Sequence, residues 1–207
     1  TDVVHCNVMN SGSIILRIAK KYKVPVRILH SHATQTGDKK WKEFRNKLFC
    51  DISLKNANTY FSCSHLAGDY LFGKDNYYLI PNAIDIDKYS YNQQKRKNLR
   101  NEEKCGEKLV VTTVGRFTRQ KNPMFIVDIV YELSKIGLEF VFWWFGNGEL
   151  EREVHKYARE KGVDKFIKFW GANSRVMDYY SAADVFILPS LYEGLPVVGI
   201  EAQVAAL

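Results

Sequence analysis

The chain of 207 residues is long enough to bury a substantial core, in one large domain or in two smaller ones. Hydrophobic residues make up 46% of it and charged residues 26%, which are the proportions of a globular protein and exclude a disordered, collagenous or coiled-coil chain. The four cysteines are far apart and form no C-x-x-C pair, so we expect reduced thiols in a cytosolic protein rather than a disulfide scaffold or a zinc site. We expect neither a membrane span nor a signal peptide.

The net charge of +7 comes from the first half of the chain. Residues 1–106 contain 18 Lys and Arg against 10 Asp and Glu, whereas residues 107–207 contain 12 against 13. Such a one-sided excess indicates an anionic ligand or surface that faces the first half. A nucleic-acid partner is not expected, because no recognition module or basic, aromatic-rich sheet accompanies the charge.

The first block of the chain alternates short apolar runs with helical patterns, as βα units on a parallel sheet do. Its predicted strands are Val3–Cys6, Val26–Leu29, Thr59–Cys63 and Tyr77–Ile80. Between the first two strands we expect a turn over Asn7–Ser13 and then a helix that ends near Tyr22. We assign residues 1–90 to part of a first Rossmann-like domain and the nearly all-polar residues 91–106 to a linker.

A basic amphipathic helix is predicted around residues 39–49. Its apolar stripe consists of Trp41, Phe44, Leu48 and Ile52, and the lysines mostly off that stripe are Lys40, Lys42 and Lys47. Two interpretations remain open at this point. The stripe packs into the core behind a solvated basic face, or the helix contacts an anionic membrane surface.

The second block repeats the alternation more clearly. Its predicted strands are Leu109–Val114, Phe140–Phe145, Phe166–Gly171 and Val185–Leu188, with helices from Pro123, over Leu150–Lys161, over Val176–Ala183 and from Pro196. We assign residues 107–207 to part of a second Rossmann-like domain. Because the last helix would lack partners and the chain starts directly on a strand, we expect a fragment of a longer protein.

Ligands of doubly wound sheets bind where strands end, which makes three turns candidate sites. The turn that follows Val114 carries Arg116 and Lys121 just before a helix, and it is either a pyrophosphate site or an exposed basic loop. The sequence Gly146-Asn147-Gly148 would suit any tight turn, so by itself it is weak evidence for a ligand site.

The third turn holds two carboxylates around the start of a helix, Glu193 just before Pro196 and Glu201 after it. Carboxylates beside free helix amides suit a ligand with hydroxyl groups and an anionic group. A hydrolase acid and base pair is less attractive, because helix amides favour an anionic ligand and keep both carboxylates ionised. A capping glutamate with an unrelated surface glutamate is the remaining alternative.

Together these motifs resemble the retaining glycosyltransferases of GT-B fold, in particular glycosyltransferase family 4, over nearly the whole chain. The matching segments are Pro81-Asn82-Ala83-Ile84-Asp85 for P-N-G-[IV]-D, Gly115-Arg116 through Lys121-Asn122 for G-R-x-x-x-x-K-[GN], Gly146-Asn147-Gly148 for G-x-G, and Glu193 to Glu201 for E-x7-E. Ala83 departs from the usual glycine. The resemblance implies an α/β chain of GT-B type with two Rossmann-like parallel-sheet domains, both incomplete here.

The resemblance also implies a nucleotide-diphosphate sugar, with UDP or GDP, in the C-terminal half. Arg116 and Lys121 would hold the diphosphate, Glu193 the donor sugar and Glu201 the ribose. The remaining donor-binding residues implied are Gly115, Gly146, Gly148, Gly194, Leu195 and Pro196.

The same family places a histidine after a strand of the acceptor domain, and this chain offers His30 and His32. We favour His32 because a small residue follows it, as in the family's H-G, while His30 stays open. A hydrogen-bonded histidine at a strand end is the alternative for both. The candidate catalytic residues are therefore His32, His30, Glu193, Arg116 and Lys121.

The resemblance implies transfer to an acceptor hydroxyl with retention, without a cofactor or metal ion. The acceptor would be a carbohydrate or a lipid-linked glycan, since such enzymes commonly build capsules, exopolysaccharides or glycolipids at the cytoplasmic membrane face. We expect a cytoplasmic protein, peripheral at the inner face of the cell membrane. The alternative is a truncated module that binds a nucleotide sugar without turning it over.

Overall fold

A computed structural model of the chain describes the backbone of residues 1–35 and 40–207, and their side chains except those of residues 9–11 and 40–43. The contacts divide the chain into two compact units. The first unit contains Thr1–Asn82 and Tyr192–Pro196, and the second contains Ala83–Leu191 and Val197–Leu207. Residues 91–106, which the sequence suggested as a linker, contain a helix of the second unit.

The first unit is built on a parallel sheet. Its strands are β1 Val3–Cys6, β2 Val26–Ser31, β3 Thr59–Ser62 and β4 Tyr78–Leu79, hydrogen-bonded in that order. Its helices are α1 Met9–Lys21, α2 Lys40–Asn56 and α3 His65–Phe72. The turn predicted over Asn7–Ser13 is wrong beyond its first two residues, because α1 already begins at Met9.

The second unit is also a parallel α/β structure. Its strands are β5 Leu109–Val114, β6 Phe140–Phe145, β7 Ile167–Gly171 and β8 Val185–Phe186. Its helices are α4 Ile86–Tyr89, α5 Gln93–Glu102, α6 Pro123–Lys135, α7 Glu151–Glu160, α8 Val176–Ala182 and α9 Val197–Val204. The strand order β7-β6-β5-β8 reverses at β5, because the chain adds β6 and β7 on one side of it and β8 on the other. Ligands of such sheets bind at this switch point, at the carboxyl ends of the strands.

Aromatic side chains fill the core on both faces of β6. Phe142 and Trp144 point to one hydrophobic cluster, and Trp143 and Phe145 to the other. All four are at most 2% exposed, as expected for a central strand of a parallel sheet covered on both faces. The run of apolar residues in β6 is therefore explained by its position between β5 and β7.

The polar helix α5 is fixed to the second unit by Asp184. The guanidinium groups of Arg96 and Arg100 both bind this carboxylate, which also accepts a hydrogen bond of 2.8 Å from the Val110 backbone amide. Burial alone would raise the pKa of Asp184, but these donors hold it below its usual value. The helix also buries Leu99 in the cluster of Trp143 and Phe145, so α5 is an integral element of the second unit.

Helices α1 and α2 leave apolar side chains exposed to solvent. Phe44 is 78% exposed and Leu48 57%, and on α1 Ile14 is 63% exposed. The interpretation of the basic helix as a core-packed stripe is therefore wrong for Phe44 and Leu48. The other predicted members Trp41, Lys40 and Lys42 have side chains outside the described residues. Within the part of the chain that is described, no helix is long and apolar enough to span a bilayer.

Candidate functional site

The basic turn follows β5 at the switch point of the second sheet. Gly115 continues the strand, since its amide donates to the Phe145 carbonyl at 2.9 Å. Arg116 comes next and is exposed, whereas Lys121 is half-buried and lies over Gly115. A Cβ built on Gly115 would be 3.4 Å from the Lys121 side chain. The structure therefore brings the predicted residues Gly115, Arg116 and Lys121 together at the carboxyl end of β5.

The conformation of this turn is set by a buried phenylalanine and a short helical turn. Phe117, 1% exposed, stacks on Trp144 with ring centroids 4.8 Å apart. A 3-10 turn over Arg119–Lys121 then leads through Asn122, at a φ of 52°, into Pro123 at the start of α6. The anchored ring fixes the backbone on which Arg116 and Lys121 stand.

The Gly146-Asn147-Gly148 turn after β6 packs directly against the basic turn. A Cβ on Gly146 would lie 2.0 Å from the Gly115 carbonyl oxygen, and one on Gly148 would lie 2.7 Å from the Phe117 backbone nitrogen and oxygen. The two turns also exchange hydrogen bonds, such as Phe117 amide to Asn147 carbonyl at 3.0 Å. These glycines thus allow a backbone contact that shapes the basic turn. Their predicted contact with a nucleotide-sugar donor stays a prediction.

The turn after β8 also reaches this part of the second unit. The Leu191 amide donates to the Gln120 carbonyl at 2.8 Å, which ties the segment after β8 to the basic turn. The chain then enters Tyr192–Pro196, which belongs to the first unit, and returns to the second unit in α9.

Glu201, the predicted ribose ligand, lies on α9 and is 8% exposed. Its Oε2 accepts a hydrogen bond of 3.0 Å from the hydroxyl of Tyr180, whose ring lies 6.4 Å from that of Tyr89. Burial and the nearby Glu201 carboxylate raise the pKa of both phenols. The sequence analysis did not predict a role for either tyrosine. Tyr180 and its neighbour Tyr179, which packs on Trp143, look alike in the sequence, and neither belongs to a motif.

In the first unit three of the five histidines form a row at the carboxyl ends of β1 and β2. His5 Nε2 lies 3.1 Å from His30 Nδ1, and the rings of His30 and His32 are 4.0 Å apart. His32 Nε2 lies 3.1 Å from the side-chain oxygen of Asn7. The pairing of His30 with His5, a partner 25 residues away, was not predicted.

Burial keeps the inner histidines of this row uncharged. The pKa of His30 is lowered to about 4, by burial first and then by His32 and His5. Burial also lowers the pKa of His32, although the nearby Asn82 side chain acts in the opposite direction. Both rings are thus neutral near pH 7. His30 is 5% exposed and His32 is half-buried, so His32 is the more accessible of the two candidates.

The segment Tyr192–Pro196 packs against His32 within the first unit. A Cβ on Gly194 would lie 2.3 Å from the His32 carbonyl oxygen, so only glycine permits this approach without a shift. Asn82 donates its side-chain amide to the Leu195 carbonyl at 2.7 Å, and Thr34 donates to the Glu193 carbonyl at 3.3 Å. The structure thus brings Glu193, Gly194 and Leu195 beside His32.

Asn82 lies near His32 and donates to the Leu195 carbonyl, so it belongs to the same group of residues. It belongs to the Pro81-Asn82-Ala83 segment, to which the sequence assigned no role. Among the described residues, no group of three or more His, Cys, Asp and Glu side chains could hold a metal ion.

Comparisons with known proteins place the chain in a family. The model of the family "Glycosyl transferases group 1" matches residues 94–207, more than half of the chain, and the chain belongs to this family. EpsF of Bacillus subtilis (strain 168) is 34% identical over 100% of this chain and 56% of its own length. The UDP-Gal:alpha-D-GlcNAc-diphosphoundecaprenol alpha-1,3-galactosyltransferase of Escherichia coli is 29% identical over 98% of this chain and 55% of its own length. The chain thus spans about half the length of these curated relatives.

A solved structure confirms the predicted fold class. The crystal structure of Anabaena Alr3699/HepE in complex with UDP-glucose aligns with a TM-score of 0.85 at 18% identity, over 99% of this chain and 57% of that one. The α/β fold with parallel sheets is therefore of the GT-B type that the motifs indicated.

Proposed function

We propose that this chain belongs to an enzyme that transfers a sugar from a nucleotide-diphosphate sugar to an acceptor hydroxyl with retention at the anomeric carbon. The observation that carries the proposal is the placement of Arg116 and Lys121 in one turn at the switch point of the second sheet. Two cations beside a helix start suit a diphosphate, the leaving group of such a donor.

The proposed chemistry needs no protein nucleophile. The bond between the anomeric carbon and the diphosphate oxygen breaks, and the sugar becomes oxocarbenium-like. The acceptor oxygen then bonds to the same face of that carbon, and its proton passes to the leaving phosphate. Arg116 and Lys121 stabilise the charge that builds on the diphosphate. His32 and Glu193, which lie together in the first unit, are proposed to contact the donor sugar, without a metal ion or cofactor.

The relatives support particular substrates. HepE has been crystallised with UDP-glucose, and the name of the Escherichia coli relative gives a UDP-sugar donor and a lipid-linked acceptor. We therefore propose that the donor is a UDP-sugar, with a GDP-sugar as the alternative. The proposed acceptor is a carbohydrate or a lipid-linked glycan, and the proposed product is a polysaccharide, capsule or glycolipid. A cytoplasmic location follows from such a donor.

The proposal is tested by comparing donor binding with donor turnover. A panel of UDP- and GDP-sugars is screened by the shift in melting temperature, and release of nucleoside diphosphate from each stabilising donor is then measured. Binding with turnover supports the enzyme, and binding without turnover supports the alternative of a truncated nucleotide-sugar-binding module. A chain that binds none of the donors would contradict both.

The two glutamates are expected to respond to different parts of the donor. Glu201→Gln should weaken UDP and UDP-sugar alike by about 10-fold, because it removes a charged acceptor for the ribose hydroxyls. Glu193→Gln should leave UDP binding unchanged and weaken only the intact UDP-sugar. Calorimetric titration of both ligands into both variants checks this, and equal losses in all four titrations would show a shared structural role instead.

We also propose that the first unit contacts an anionic membrane surface. The exposed apolar side chains of α1 and α2, Ile14, Phe44 and Leu48, lie on helices that also carry the exposed cations Arg17 and Lys47. Apolar residues interspersed with cations are typical of helices that lie in a membrane interface.

Vesicle binding of the wild-type protein should therefore be strong with anionic lipids at low salt and weaken with added salt, by about 1 kcal/mol for each basic residue involved. Arg17→Gln with Lys47→Gln should reduce this binding, and Phe44→Ser should reduce it without lowering the melting temperature, because Phe44 is 78% exposed. Lys156→Gln in the second unit is the matched control. Wild-type protein that stays in the supernatant with anionic vesicles at low salt would refute the membrane contact.

A further inference from the structure

Two tyrosines that pack on each other lie beside one buried carboxylate in the second unit. Tyr180 at the end of α8 donates its hydroxyl to Glu201 Oε2 at 3.0 Å, and the ring of Tyr89 at the end of α4 packs beside Tyr180, with ring centroids 6.4 Å apart. Tyr180 is 1% exposed and Glu201 8%, while Tyr89 is half-buried. The carboxylate of Glu201 is therefore held between two elements that are distant from it in sequence.

The chemistry of this contact leaves part of the carboxylate available. A carboxylate offers about four acceptor positions, so the Tyr180 hydroxyl leaves more than two for further donors. Two vicinal hydroxyls, such as the 2′ and 3′ hydroxyls of a ribose, need two such positions. The phenols serve only as donors to the carboxylate, because its charge and their burial disfavour their ionisation.

The ring of Tyr180 has a packing role that can be separated from its hydroxyl. The ring lies in a hydrophobic cluster with Ala202 and Ala205 and meets Phe186 edge-on, with centroids 5.9 Å apart. A phenylalanine keeps these contacts and removes only the donor. The role of the hydroxyl can thus be tested without creating a cavity in the core.

We propose that Tyr180 and Tyr89 are positioning residues that orient the Glu201 carboxylate toward the ribose of the nucleotide. The inference deepens the proposed function and rests on the assignment of Glu201 to the ribose. It predicts that the preference of the protein for a ribonucleotide over its deoxy analogue depends on the phenol hydroxyls of Tyr180 and Tyr89, which do not themselves contact the nucleotide.

The test compares calorimetric affinities for UDP and for 2′,3′-dideoxy-UDP in the wild-type protein and in four variants. Wild-type protein should prefer UDP by about 10-fold or more, and Glu201→Gln should abolish that preference. Tyr180→Phe and Tyr89→Phe should each reduce the preference by about 3- to 10-fold, through weaker UDP binding at unchanged affinity for the dideoxy analogue. Tyr179→Phe, the neighbouring buried tyrosine, is the matched control and should keep the wild-type preference.

The outcomes separate the inference from the function on which it rests. Loss of the preference in Glu201→Gln with full retention in both tyrosine variants overturns the positioning role but keeps the ribose assignment. Equal weakening of both ligands by Tyr180→Phe shows a structural role and also overturns it. Retention of the preference in Glu201→Gln overturns the ribose assignment itself. If Tyr180→Phe fails to fold, Tyr89→Phe at its half-buried position decides the outcome.

Discussion

Arg116→Ala and Lys121→Ala should each lower donor turnover by roughly 10²-fold or more, in any form of the protein that turns over donor. The reason is that negative charge accumulates on the diphosphate as its bond to the sugar breaks, and both cations stand in the turn at the carboxyl end of β5. Each change should also weaken UDP binding by about 1.5–3 kcal/mol, the usual contribution of a hydrogen bond to a charged group. Steady-state kinetics and calorimetry with UDP measure the two effects.

Arg119→Ala provides the matched control for this prediction. Arg119 is an exposed cation of the same turn, so its removal changes the local charge equally without removing either residue assigned to the diphosphate. We expect turnover within a few-fold of wild type for this variant. Unchanged UDP affinity in both Arg116→Ala and Lys121→Ala would refute the diphosphate site.

Gly146→Ala is expected to destabilise the second unit by about 3–5 kcal/mol, since backbone strain and steric overlap act at the same residue. Gly146 has a φ of 135°, which side-chain-bearing residues rarely adopt. Its added Cβ would also lie 2.0 Å from the Gly115 carbonyl oxygen, so the basic turn must move. Urea unfolding followed by far-ultraviolet circular dichroism measures the loss, and UDP binding should fall with it because Arg116 directly follows Gly115.

Gly137→Ala separates the two causes. Gly137 also has a positive φ, of 72°, but nothing lies within 4 Å of an added Cβ. This variant should lose only about 1 kcal/mol, the conformational part of the effect. Equal losses for the two variants would mean that the contact between the glycine turn and the basic turn contributes nothing to stability.

The strands of the second sheet could be predicted from sequence because burial on both faces leaves a continuous apolar run. Phe140–Phe145 and Leu109–Val114 were predicted with the bounds that the structure gives, since a glycine follows each run. The beginning of α1 could not be predicted. Val8 at its N-cap makes no side-chain capping bond, and the small and polar residues of the first turn favour a loop on local propensity alone.

The polar helix α5 was interpreted as a linker for a similar reason. Its attachment combines a single buried apolar residue, Leu99, with the bonds of Arg96 and Arg100 to Asp184, more than 80 residues further along the chain. Sequence patterns reveal periodicity and local signals, so a helix with one buried apolar residue and distant ionic partners has the composition of a solvated segment. The boundary between the two units was therefore placed too late in the sequence.

The candidate site shows the same limit. The motifs indicated Arg116, Lys121, Glu193, Glu201 and the histidines, because each lies in or near a segment that follows a strand. The contacts of Glu201 with Tyr180 and of Asn82 with Leu195 join residues separated by 21 and 113 positions. Such contacts follow no periodic pattern, so they cannot be predicted from a single sequence.

The aromatic core around β6 has a spectroscopic consequence. Three of the four tryptophans belong to the second unit, where Trp143 and Trp144 are 1% and 2% exposed and the ring of Trp170 stacks on Phe145. Intrinsic fluorescence should therefore be blue-shifted and dominated by this unit, while Trp41 supplies the only indole signal of the first. Because Trp144 also stacks on Phe117, next to Arg116, quenching or a spectral shift on addition of nucleotide would report movement of the basic turn without any attached label.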